Sequence, residues 1–108
     1  MSAGELLDAL ETTLLRIQAL TPLDKTSWGS DELRQLAVER LWIIAGTIAE
    51  EYRKAAGLTS GVDPWAELYG YRSVLAHALP GEVSPDRVWY ESVADLPRLL
   101  EQVRATVR

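Results

Sequence analysis

"SDELRQLAVERLWIIAGTIAEEYRKAAG" (Ser30–Gly57) is the stretch whose reading decides the fold. Ser30 is a good N-cap, and Asp31 and Glu32 fall in the first turn, where the positive end of a helix favours carboxylates. Leu41, Ile44, Ala45, Ile48 and Tyr52 recur at three- and four-residue steps, which makes one stripe of a long α-helix. Gly57 is a natural C-terminal stop. The apolar run Leu41–Ala49 inside it is the longest of the chain and is flanked by charge. It falls short of the ~20 residues that a membrane-spanning helix needs.

Working outward, the same helical logic holds on both sides. Gly4–Leu20 carries Leu6, Leu10, Leu14 and Ile17 at helical spacing, and Pro22 ends it. "TPLDKTSWGS" then reads as a loop, a position that leaves Trp28 exposed. Downstream, Asp63-Pro64 is a start signal, a capping carboxylate followed by proline at the first helical position. That third helix is expected to run through "WAELYGYRSVLAHAL" as far as Pro80-Gly81. Ser84-Pro85 repeats the signal for a short fourth helix, "DRVWYESV". A last segment begins near Asp95, with Leu96, Leu99, Leu100 and Val103 as its apolar face. Alternating runs and Asn-Gly or Asp-Gly hairpin turns are missing. The expectation is a single all-α domain over residues 1–108, an antiparallel up-and-down bundle of four to five helices. Trp42, Trp89 and Tyr52 are expected in its core.

Composition narrows the function. The chain has 108 residues, no cysteine and a net charge of −5. Zero cysteines removes disulfides, thiolate nucleophiles and cysteine-ligated zinc, and fits a reducing cytoplasm. A single histidine gives no metal cluster, and the pair Glu50-Glu51 reads as a solvated helix face. The acidic balance argues against broad nucleic-acid binding through many Lys/Arg–phosphate contacts, though it leaves room for a small basic groove. "MSAGELLDAL" has no basic segment before an apolar one, so a secretory signal is not expected there.

The chemistry-bearing feature is "YRSVLAHALPG" (Tyr71–Gly81), where Arg72 precedes the only histidine, His77, by five positions. On a helical wheel Trp65, Leu68, Leu75 and Leu79 form a core face with Arg72 in its middle, and a guanidinium there needs a partner or an exit to water. Beside it runs a second stripe: Ala66, Tyr69, Gly70, Ser73 and His77. Gly70 inside a helix costs ~1 kcal/mol relative to alanine, so the stripe reads as a surface of close helix approach, with a second copy of the chain as a candidate. Arg72 and His77 stand roughly 140° apart on an ideal helix. They can meet if the helix loosens near Pro80, or if two copies bring Arg72 of one toward His77 of the other. Such a pair could cleave RNA without a metal. A histidine takes the 2′-hydroxyl proton near neutral pH, and an arginine braces the phosphate. The plain alternative is that Arg72 pairs with Glu39 or Glu50 and His77 caps the helix end.

The surroundings of the pair add to this. "ERLWIIAGTIAEEYRK", "DPWAELYGYRSVLAH" and "RVWYESVADLPRLLEQV" together resemble, in order and spacing, the HEPN superfamily of small helical RNases and RNA-binding domains, and within it the HepT-like toxins of bacterial toxin–antitoxin pairs. The resemblance implies a HEPN-like bundle that forms a homodimer, with both Arg-x4-His motifs lining one cleft. It implies a metal-independent, cofactor-free endoribonuclease acting on RNA in the cytoplasm, with Arg72 and His77 catalytic and Ser73 and Tyr69 accessory. It also implies a minimal nucleotidyltransferase antitoxin as partner, and no membrane. The sequence departs from the pattern at three places. Ser73 stands where asparagine is common, and Thr47 follows Gly46 where glutamate is common. Leu79 stands where many members carry a tyrosine that the antitoxin modifies with AMP; Tyr69, Tyr71 and Tyr90 are the nearby hydroxyls. The alternative within the resemblance is an inactive RNA- or nucleotide-binding subunit of a nucleotidyltransferase. A DNA-binding repressor is disfavoured, because "ELYGYRSVLAH" lacks the exposed basic and amide groups of a recognition helix.

Overall fold

The computed structural model describes residues 1–108 and contains helices and turns but no strand. Its elements are α1 (Ala3–Leu20), α2 (Lys25–Gly29), α3 (Glu32–Ala55), α4 (Trp65–His77), α5 (Pro85–Tyr90), a π-helical turn (Glu91–Asp95) and α6 (Leu96–Ala105). The all-α bundle is therefore as expected. α3 is central, with α1 along one side and α4 along the other. Both neighbours run antiparallel to it. Arg34 at the start of α3 donates to the Leu20 carbonyl at the end of α1, and Tyr52 near the end of α3 stacks on Trp65 at the start of α4. α6 closes the bundle against α1, where Arg104 and Arg108 pair with Glu11 and Asp8. No helix is long and apolar enough to cross a membrane.

Local sequence explains most boundaries. Ser2 and Glu5 form a reciprocal capping box at the head of α1, and Ser84 caps α5 with Pro85 in its first turn. Gly57 follows α3 at φ 71°, the left-handed turn that glycine adopts without strain. The apolar face of α6 is buried as read: Leu96, Leu99, Leu100 and Val103. Trp42 and Tyr52 are core residues, and Trp89 packs against the core while its Nε1 donates to the Pro22 carbonyl.

Several expectations are corrected. "TPLDKTSWGS" is not all loop, because Asp24 accepts from the Thr26 and Ser27 amides and starts α2. Trp28 is fully buried rather than exposed, and its indole Nε1 donates to the Pro85 carbonyl at 2.8 Å. Ser30 belongs to the end of α2, so Asp31 caps α3 instead, accepting from the Arg34 amide at 3.0 Å. The deep stripe of α3 is Val38, Trp42, Ala45, Ala49 and Tyr52; Leu41, Ile44 and Ile48 lie half-buried on its flank. Pro64 occupies the cap position of α4, and the Asp63 carboxylate accepts from the Glu67 amide. α4 ends at His77, one turn before Pro80, so Leu79 is 69% exposed instead of core and Leu75 is half-buried.

Within one chain, close helix approach occurs at Gly46. A Cβ on Gly46 would collide with Arg72 Cβ and lie 2.6 Å from the Leu68 carbonyl oxygen, so α3 and α4 cross with backbones nearly touching there. A Cβ on Gly70 would meet nothing within 4 Å.

The last rod stays continuous across Pro97. Proline lacks the amide for an i→i−4 bond, and its ring crowds the carbonyl four residues back. The helix widens into the π turn just before it, where the Leu96 amide reaches the Glu91 carbonyl. Ser92 in that turn accepts from Trp42 Nε1 at 2.9 Å and donates to the Val88 carbonyl at 2.8 Å, which satisfies two buried polar groups at once.

Candidate active site

Arg72 leaves the inner flank of α4 beside the Gly46 crossing. Its Nε donates to Thr47 Oγ1 at 2.9 Å, and its guanidinium lies 5.6 Å from the centre of the Tyr69 ring. Neither expected carboxylate holds it. Glu50 is taken by Arg53 through bonds of 2.6 and 3.1 Å, which keep its carboxyl below the ordinary range, and Glu39 lies elsewhere on α3. The chain has nine arginines. Six are in ion pairs with acidic side chains, and only Arg16, Arg40 and Arg72 are not. In a protein with 16 acidic and 11 basic residues this is informative. Arg72 keeps its terminal nitrogens free, with its stem fixed by backbone packing and its Nε fixed by a neutral hydroxyl.

Thr47 is the residue that sequence reasoning undervalued. It stood out only as the place of a missing acidic contact, yet it orients the arginine without neutralising it.

His77 is exposed on the last turn of α4, and its Nδ1 lies 2.8 Å from the Ser73 carbonyl oxygen. A carbonyl can only accept, so Nδ1 donates to it, as a histidine capping the last turn of a helix does, and Nε2 is left facing solvent. Ser73 supplies this orientation through its backbone; its hydroxyl is turned back to the Tyr69 carbonyl at 3.0 Å.

The two side chains do not share a hollow within one chain. Arg72 opens into a space of about 200 Å³ shared with Thr47, Lys54, Tyr69 and the carboxylates Glu50 and Glu51. His77 opens into another of about 310 Å³ with Ser73, Glu82 and Arg87. α4 remains α-helical through His77, so local loosening does not bring them together. Glu82, in the loop after α4, and Arg87, in α5, are neighbours of His77 that no local pattern singles out.

The tyrosines differ sharply. Tyr71 is structural. Its hydroxyl donates to Asp95 at 2.7 Å with Glu67 3.2 Å away, and burial and these carboxylates push its ionisation far up. Tyr69 and Tyr90 are exposed. Nowhere do three His, Cys, Asp or Glu side chains converge as metal ligands would. No family model, curated protein or solved structure matches the chain.

Proposed function

We propose that the protein is a metal-independent endoribonuclease that works as a homodimer, and that it is the toxin of a HepT-like toxin–antitoxin pair restrained by a nucleotidyltransferase partner. The observation that carries this reading is the state of the two side chains. Arg72 is held at Nε with no carboxylate on it, and His77 bonds the Ser73 carbonyl through Nδ1, which leaves Nε2 at the surface.

In the reaction, His77 Nε2 takes the proton of a ribose 2′-hydroxyl. The oxygen attacks the adjacent phosphorus, the bond to the 5′-oxygen breaks, and a 2′,3′-cyclic phosphate forms as the leaving oxygen takes a proton from water. Arg72 braces the phosphate and the charge that builds on its oxygens. The helical wheel separates the pair by roughly 140°, so a second copy must supply one of them to each cleft. Support for a second copy comes from apolar surface beside the site. Tyr69 and Val74 on α4 are 39% and 40% exposed.

The test is incubation of purified protein with RNA in the presence of EDTA, with sedimentation of the same sample. Wild type should yield cyclic-phosphate ends, and His77→Ala and Arg72→Ala should each lose at least a hundredfold in rate. Equal cutting by His77→Ala, or cutting by a strictly monomeric protein, would overturn the reading. The second reading, an inactive RNA- or nucleotide-binding subunit, is favoured by the separate hollows of Arg72 and His77 in one chain. It predicts RNA binding with no cleavage by wild type.

A further inference from the structure

A groove of about 420 Å³ runs between the first half of α3 and the segment that follows α4. Leu36 and Ile43 line its α3 side, and Leu79 and Val83 line the other. Glu39 is half-buried between them, and Glu32 lies at the rim. No lysine or arginine lines the groove. Glu39 has no cation and no hydrogen-bond donor, and burial raises its carboxyl above the ordinary range with nothing opposing.

We infer that this groove docks a lysine- or arginine-bearing apolar segment of a partner protein, with the cation on Glu39 and aliphatic side chains against Leu36, Ile43 and Val83. A carboxylate drawn partly out of water without a partner costs free energy that an incoming cation recovers. Lysine and arginine suit the place because each joins an apolar stem to a charged head, and the stem finds aliphatic walls here. The charge decides between macromolecules. Two carboxylates and no cation repel a nucleic-acid backbone and attract a basic segment. Ala78 and Val83 line both this groove and the hollow of His77, so occupancy is felt at His77 through a shared wall. The inference does not rest on RNA cleavage.

The probe is a labelled 15-residue helical peptide with leucines along one face flanked by arginines, and its counterpart with glutamates for the arginines. Binding to the full chain is followed by fluorescence anisotropy and by amide NMR shifts. The arginine peptide should bind and shift Leu36, Ile43, Leu79 and Val83 together with the His77 ring signal. Glu39→Gln should weaken it at least tenfold, Glu39→Asp should weaken it less, and the exposed Glu101→Gln should leave it unchanged. The glutamate peptide should not bind. The inference is overturned by no binding of the arginine peptide, by equal loss in Glu39→Gln and Glu101→Gln, or by shifts confined to another face. It is also overturned if Glu39→Gln turns a dimer into a monomer, which would make a second copy the occupant, or if a 12-nucleotide RNA shifts the same groove residues.

Discussion

Alanine at Gly46 and alanine at Gly70 are the same chemical change in two helix interiors, and they should move stability in opposite directions. Glycine to alanine in a helix gains about 1 kcal/mol from propensity. At Gly70 nothing of the same chain lies within 4 Å of the new methyl, so in the monomer that gain stands alone. At Gly46 the methyl meets the Leu68 carbonyl oxygen at 2.6 Å and Arg72 Cβ more closely still. Neither atom can rotate away, so α4 must retreat by about 0.8 Å to bring the Leu68 oxygen to the 3.4 Å of ordinary contact, and further to clear Arg72 Cβ. Overpacking of this kind costs about 3 kcal/mol, the upper part of its usual range. The net for Gly46→Ala is a loss of about 2 kcal/mol, which for a chain of this size lowers Tm by roughly 8–16 °C, while Gly70→Ala raises it by roughly 4–8 °C. Urea unfolding in dilute solution, with calorimetry, measures both. The retreat also pulls Arg72 from Thr47, so the Arg72 Nε proton signal should broaden or shift in Gly46→Ala only. Shifts of the same sign in the two variants, or a Gly46→Ala effect below about 0.5 kcal/mol, would refute the reading of that crossing.

Ser92→Ala should destabilise by about 1–3 kcal/mol in chemical denaturation, because it leaves the buried Trp42 Nε1 without an acceptor; a neutral result would show that the indole finds another. Thr47→Val should leave stability within about 0.5 kcal/mol, since the site is exposed. RNA cleavage should nonetheless fall about tenfold or more as Arg72 loses its anchor. Unchanged turnover would show that Thr47 does not position Arg72. The Glu67 carboxyl is held below its ordinary value by Arg98, with burial opposing. A depressed carboxyl contributes stability above its unfolded pKa and loses it as pH falls through the folded value. The Tm gap between wild type and Arg98→Gln should therefore be small but measurable at pH 7, worth at most about 1 kcal/mol. It should close below about pH 4, and a gap that widens in acid would contradict the pairing.

Helix caps and stripes were legible wherever the determinants were local. Ser84-Pro85, Gly57 and the face Leu96, Leu99, Leu100 and Val103 needed nothing beyond their neighbours. Trp28 was not legible, because its burial depends on the Pro85 carbonyl 57 positions away. Ser30 and Asp31 are both good caps, and only the extra turn of α2 selects the second. Leu79 falls on the core face only if the helix continues to Pro80, and it stops one turn short of that. The residue before a proline is pushed out of helical geometry, and the chain leaves the helix already after His77. Which glycine sits at a crossing is set by the register of α3 against α4, a long-range quantity that composition does not carry. The angular separation of Arg72 and His77 was readable from the wheel, and the two separate hollows follow from it. The role of Thr47 was hidden by the same register.

The π turn also divides the last rod mechanically. Its first half is fastened to the segment around α2, through Trp28 to Pro85, Trp89 to Pro22 and Lys25 to Asp86. Its second half is fastened to α1, through Arg104 and Arg108. With a proline interrupting the amide ladder at the joint, the rod can come undone as two pieces, each with its own opening free energy. Arg87 belongs to the first piece, so a fluctuation there would swing one wall of the His77 hollow while the α1–α3 hairpin stays folded. Amide exchange would register it as one early-opening block spanning α2 and α5.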